Sequence, residues 1–274
     1  MKREVDAIAS DIKSTFMRNY GAGLDDKVKL GLFQAAIESL RGTQAASPKA
    51  KREFVSLILD FMLSPGSISS WVFSGGQDRH DYVLNMPDNT TVIIEAKGCL
   101  DGNNTNIFQR PPQAEEFYIW SLCQNVGSDP RHNVWSGIHT RLGAELIHRK
   151  EKIDGLIVWD MLCGTVGRPC PKCIGHPEKL ISLPGKSVPS PCLYIFPRTI
   201  PDPRNNSKPD VARMADLKFF QALAALFGCD KADINEVSIQ VRMEDANLQR
   251  KTTVRRDGEV VSESNWATLR RANK

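Results

Sequence analysis

Residues 80–97 read HDYVLNMPDNTTVIIEAK, and the folding of this stretch decides how the rest of the chain is understood. Two short runs rich in β-branched and aromatic residues flank the turn formers Pro87-Asp88-Asn89, which predicts an antiparallel hairpin. Side chains alternate faces along a strand. Glu95 and Lys97 therefore fall on one side with Ile93, while Val92, Ile94 and Ala96 fall on the other. With a turn made of residues 87–89, Met86 pairs with Thr90 and Asp81 stands opposite Glu95, so all three charged groups share one face. A slip of one residue would send Asp81 to the opposite face.

Two carboxylates beside an ammonium, on strands whose other face is apolar, make an oxygen-ligand site for a hard divalent cation. A cation held there would polarise a phosphoryl oxygen and lower the pKa of a water. Lys97 would stabilise developing negative charge or position the nucleophile. That combination suits phosphodiester hydrolysis. Asp78 and Asp88 are the neighbouring acids, but Asp78 precedes the strand and Asp88 lies in the turn; His80 stands beside Asp81.

The same residues resemble the active-site hairpin of the PD-(D/E)XK nucleases, whose motif is an acidic residue, a short gap, then Asp/Glu-x-Lys closing a strand. The resemblance implies Asp81 and Glu95 as magnesium ligands, Lys97 as the catalytic lysine, and a restriction endonuclease-like mixed β-sheet core flanked by helices. Within that superfamily the chain is most similar to the type II restriction endonucleases. This implies cutting of double-stranded DNA at a short specific site, a homodimer matched to a palindromic target, and a companion DNA methyltransferase. His80 occupies the position of the motif's proline. Some such families draw a further glutamate from a helix before the hairpin, for which Glu38 and Glu53 are the candidates here.

Upstream of the hairpin, residues 1–66 carry the three-and-four spacing of helices: Val5, Ile8, Ile12, Phe16; then Leu30, Phe33, Ile37, Leu40; then Phe54, Leu57, Ile58, Phe61, Met62. Ser47-Pro48 is a helix start and Pro65-Gly66 a stop. Downstream, helical segments are predicted near 112–124 and 137–150, with GLIVWDM as a buried strand and CLYIF as another. A helix over 211–227 ends at Gly228, and the strands VSIQVRM and QRKTTVRRDGEVVSES follow. Mixed strands and helices predict an α/β (α+β) fold in one domain: helices over 1–66, a catalytic core over 67–162, a Cys-rich loop over 163–191, and the remaining core with a basic ribbon over 192–274.

The 274 residues are 41% hydrophobic and 25% charged, the composition of a soluble globular chain. No apolar run approaches a bilayer-spanning length, and MKREVDAIASDIKSTF lacks a signal peptide's apolar centre, so a cytoplasmic protein without a membrane partner is expected. The seven cysteines are then reduced thiols or metal ligands. Cys163, Cys170, Cys173 and His176 offer a tetrahedral set for structural zinc; reduced thiols that never meet metal, or a redox dithiol, are the other readings.

The net charge of +4 is concentrated: residues 250–274 hold seven basic and three acidic residues, and the rest of the chain is balanced. Asp257-Gly258 is a hairpin turn signal, which places Arg250, Lys251, Arg255 and Arg256 on a β-ribbon suited to a phosphate backbone. Asn103, Asn104, Asn106, Gln109 and Arg110 lie in a polar loop whose amides and guanidinium suit base edges. SGGQD lacks the lysine and hydroxyl of a phosphate-binding loop, which leaves nucleotide hydrolysis without support.

Overall fold

The computed structural model describes residues 48–75, 80–97, 109–123, 138–160 and 180–269. Its first helix, α1 (Pro48–Leu63), opens on the expected proline. It ends where Gly66 takes a φ of +73°, with the Gly66 N–H bonded to the Leu63 carbonyl and the Ser67 N–H to that of Met62. This is a Schellman cap, whose left-handed position favours a residue without a Cβ. The two earlier predicted helices lie outside the described residues.

The hairpin forms as predicted. Strand β1 (Ser70–Phe73) pairs antiparallel with β2 (Tyr82–Asn85), and β2 pairs antiparallel with β3 (Thr91–Lys97). Tyr82 faces Ile94 and Asn85 faces Thr91, the predicted register. Met86 donates to the Thr90 carbonyl, and Asn89 closes the three-residue turn at a φ of +67°.

Residues 116–123 correct the reading of a helix over 112–124. They form β4 (Glu116–Cys123), parallel to β3. Phe117 and Ile119 enter one core, while Tyr118, Trp120 and Leu122 enter the other. A strand buried on both faces is a continuous apolar run, which periodicity does not separate from a buried helix. As expected, a helix follows, α2 (Ile138–Arg149), and then a buried strand, β5 (Gly155–Asp160), parallel to β4.

Part of the predicted Cys-rich loop is also structured. β6 (Leu180–Leu183) and β7 (Lys186–Pro189) form a separate hairpin, with Leu183 and Val188 buried against α1 and the large core. β8 (Cys192–Ile195) returns antiparallel to β5. The helix predicted over 211–227 is shorter: Val211 bridges to Pro197, and α3 spans only Lys218–Leu226. Gly228 ends it at a φ of +59°.

β9 (Ile234–Glu244), β10 (Asn247–Arg256) and β11 (Glu259–Glu263) complete an up-and-down ribbon, and β12 (Ala267–Thr268) pairs with β10. The sheet order is β1-β2-β3-β4-β5-β8-β9-β10-β11, a mixed ten-stranded sheet among the described residues. α1 and α3 cover one face, around Trp120, Trp159, Tyr118 and Phe220; α2 covers the other, against Val237, Ile239 and Val254. The result is an α+β fold with helices on both faces of the sheet. No described helix is long and apolar enough to cross a membrane.

Candidate active site

The charged groups of the hairpin meet where β2 leaves the ladder. An antiparallel strand directs both the N–H and the carbonyl of every second residue toward the same neighbour. Beyond the Tyr82–Ile94 pair, Ala96 would find such partners on β2, but the chain has already bent away at Asp81. Side chains take their place: Asp81 Oδ2 accepts the Ala96 N–H at 2.8 Å, and Lys51 Nζ donates to the Ala96 carbonyl at 2.7 Å. Asp81 therefore lies outside the ladder, its N–H bonded to the Ile94 carbonyl at 3.2 Å, and the predicted register holds only as far as the Tyr82–Ile94 pair. The predicted shared face does not hold, because the Asp81 carboxylate turns into the end of the ladder.

Glu95 and Lys97 project from the same strand and are ion-paired. Burial raises the Glu95 carboxyl above its ordinary range; Lys97 and Lys51 work against that rise and Asp81 adds to it. Burial likewise holds the Lys51 ammonium below the lysine range, with Asp81 pulling it back up. Asp81 also borders a cleft of about 470 Å³ with Lys49, Lys51, Arg52, Glu53, Phe73 and Tyr82. Burial and the Asp81 charge push the Tyr82 phenol up to about 12. Arg52 lies over the Phe73 ring at 3.9 Å, so its plane is fixed on one wall.

Lys51 is the member that the sequence reading missed. Its signal is a lysine at the head of the apolar stripe of α1, since Lys51, Val55, Ile58 and Met62 follow one another at helical spacing and the last three are buried. A charge on that face must lead somewhere. Glu53, expected as a possible extra acid, borders the cleft but is exposed and pairs with Lys49 at 3.7 Å. Asp88 accepts from the Thr90 N–H inside the turn and has no place at the site. Asp78 and Glu38 lie outside the described residues; His80 is half-buried beside Asp81.

The donor set suits magnesium better than zinc. Among the described residues Asp81 spends one oxygen on a backbone N–H and keeps lone pairs free, and Glu95 carries a carboxylate whose charge burial disfavours. A cation would offset that cost. No group of three or more His, Cys, Asp or Glu side chains gathers for a metal among the described residues, so any cation here would rest on two carboxylates, with water and substrate oxygens completing its shell.

The remaining predicted residues scatter. Cys163, Cys170, Cys173 and His176 lie outside the described residues, as do Asn103, Asn104 and Asn106. Gln109 is exposed. Arg110 is committed inside the fold: Nη1 donates to Asp154 at 2.8 Å, and Nη2 donates to the Ala114 and Glu115 carbonyls at 2.9 and 2.6 Å. It is not a loop side chain available to a base edge. On β10, strand alternation sends Arg250 and Arg256 to one face and Lys251 and Arg255 to the other, and Lys251 pairs with Glu263 at 2.7 Å. The basic ribbon is therefore two smaller groups.

No family model matches the chain, and no curated protein or solved structure matches it.

Proposed function

We propose that this chain is a magnesium-dependent endodeoxyribonuclease of the restriction type, hydrolysing phosphodiester bonds in double-stranded DNA at a short specific sequence. The observation that carries the reading is the end of the β2–β3 ladder, where Asp81, Glu95, Lys97 and Lys51 gather around the Ala96 peptide. A helix before an antiparallel β1-β2-β3, followed by a parallel β4, is in keeping with the mixed sheet that the resemblance implies.

Asp81 and Glu95 would hold magnesium, which supplies Lewis acidity toward the phosphoryl group and a lowered pKa for water. Lys97 would donate to a non-bridging oxygen of the scissile phosphate as its negative charge grows. Lys51, held on the Ala96 carbonyl, fixes the geometry of that peptide and offsets the repulsion between the two acids. Lys49 and Arg52 on the cleft wall would draw the nucleic-acid strand toward Asp81. A two-fold homodimer would match a palindromic target, and a methyltransferase acting on the same site would protect host DNA.

The test is incubation of purified protein with plasmid or phage DNA, with magnesium and then with chelator. Discrete fragments that vanish with chelator support the reading; cutting confined to branched substrates would make it a repair nuclease. The Glu95–Lys97 ion pair favours one rival, a non-catalytic DNA-binding protein in which the pair is merely structural. DNA binding without strand cleavage under any divalent cation would select that rival.

A further inference from the structure

Away from Asp81 and Glu95, another cavity of about 470 Å³ opens between the first turns of α2 and the β10–β11 hairpin, lined by Thr140, Arg141, Ala144, Arg250, Ser262, Glu263 and Ser264. Its chemistry is cationic. Arg250 is half-buried, and its Nε and Nη1 are sealed from solvent without a hydrogen-bond acceptor among the described residues. A guanidinium presents a fixed fork of donors, and donors left unpaired after burial are costly, so the arrangement is one that a planar or tetrahedral oxyanion would complete.

The one acid in the lining, Glu263, does not fill that role. Glu263 accepts from Lys251 at 2.7 Å and from the Thr253 hydroxyl at 2.9 Å, and those bonds hold its carboxyl below the usual range. Burial alone depresses Arg250, with no acid offsetting it. Strand alternation explains the separation: Arg250, Ser262 and Ser264 face α2, whereas Lys251, Thr253 and Glu263 face away. The near wall is rigid, since Ser264 Oγ accepts the Thr252 N–H at 2.9 Å and the Ser264 N–H returns to the Thr252 carbonyl. Gly143 lets α2 approach, as a Cβ there would stand 3.1 Å from Thr252 Oγ1.

We infer that this cavity is a phosphate-binding site, with Arg250 as the anchoring fork, Arg141 as a second cation, and the hydroxyls of Thr140 and Ser262 as supplementary donors. The site does not depend on the Asp81–Glu95 chemistry and stands if that chemistry is absent. Its ligand is a phosphate group, carried either by a nucleic-acid backbone or by a free phosphate or nucleotide.

The experiment follows thermal unfolding of the full chain in inorganic phosphate against chloride at matched ionic strength. Phosphate should raise the wild-type midpoint more than it raises that of Arg250→Met. Thr140→Asp, which keeps Arg250 but sets a carboxylate at the mouth on a helix's first turn, should weaken phosphate by about tenfold or more, and it decides the matter if Arg250→Met fails to fold. Closed circular duplex DNA identifies the source. Displacement of DNA by phosphate, with about tenfold weaker DNA binding in Arg250→Met, assigns the pocket to the backbone. Unchanged DNA binding with the phosphate shift lost assigns it to a free phosphate or nucleotide. A wild-type midpoint equal in both salts, or a phosphate shift that survives both substitutions, overturns the site. Magnesium-dependent cutting is scored separately, so loss of either activity leaves the other legible.

Discussion

Two acid clusters sit near opposite ends of the central strands and use similar residues differently. At the start of β4 and β5, Asp154 accepts the Phe117 N–H at 2.8 Å, Arg110 at 2.8 Å and Lys152 at 3.1 Å, and is 3% exposed. Beside it, Glu116 caps α3 by accepting the N–H groups of Lys218 and Phe219, and it also accepts the Tyr118 hydroxyl at 2.6 Å. The oxygens of both acids are spoken for. Each cluster borders a cleft, Glu116 and Asp154 at one end and Asp81 at the other, but at the end of β3 Asp81 holds one backbone N–H and Glu95 one lysine. Buried acids whose lone pairs are filled by N–H groups fasten elements together, whereas acids with lone pairs left over can still take a ligand.

The sharpest way to break this comparison is to remove one residue from each cluster. Lys97→Ala should cut DNA hydrolysis by about 10²–10³-fold while DNA binding and the unfolding midpoint change little; an undiminished rate in a gel assay ends the catalytic assignment. Glu116→Ala should do the reverse. It strands two N–H groups of the first turn of α3 and the Tyr118 hydroxyl, at a cost of about 3 kcal/mol in denaturant unfolding.

Magnesium sharpens the distinction. At about a hundredfold excess over its dissociation constant it should stabilise the wild type by about 2.7 kcal/mol, and calorimetry should show no such gain for Asp81→Ala. Gly155→Ala probes the filled cluster sterically. A Cβ there would stand 2.4 Å from the Phe220 ring and 2.8 Å from the Tyr194 carbonyl, so unfolding should fall by about 2 kcal/mol with no change in cation affinity.

The smallest effect is in pH. Without a cation, native Glu95 keeps its proton above the 4.5 of an unfolded glutamate, so its contribution to stability declines as pH rises from there through the folded value. Lys51 acts in the alkaline range with the opposite sign: its folded pKa lies below 10.5, and stability rises with pH between the two. Unfolding measured from pH 4 to 7 should show a shallower decline in Glu95→Gln than in the wild type, and an identical slope would mean that the Glu95 carboxyl is not strained by burial.

How much of this was legible in the sequence follows from which interactions are local. The hairpin was readable to the residue, because a three-residue turn and a period of two leave one register that buries Val92 and Ile94 with Leu84. β4 was misread because Phe117, Tyr118, Ile119 and Trp120 are all buried, which erases the alternation that marks a strand. The start of α3 was misplaced because its cap comes from Glu116, about a hundred residues earlier, and no local residue announces it.

By itself, then, the sequence determined the β2–β3 register as far as Tyr82–Ile94, the Glu95–Lys97 neighbours on one strand, the ribbon turn at Asp257-Gly258 and the end of α3 at Gly228, since each depends on backbone preferences within a few residues. Tertiary structure alone decided that Lys51 would close the Ala96 peptide, that Arg110 would serve Asp154 instead of a loop, and that Arg250 would face α2 across a cavity. Those outcomes depend on which distant element covers a polar group once water is gone, and the desolvation of that group is settled only when the layers meet.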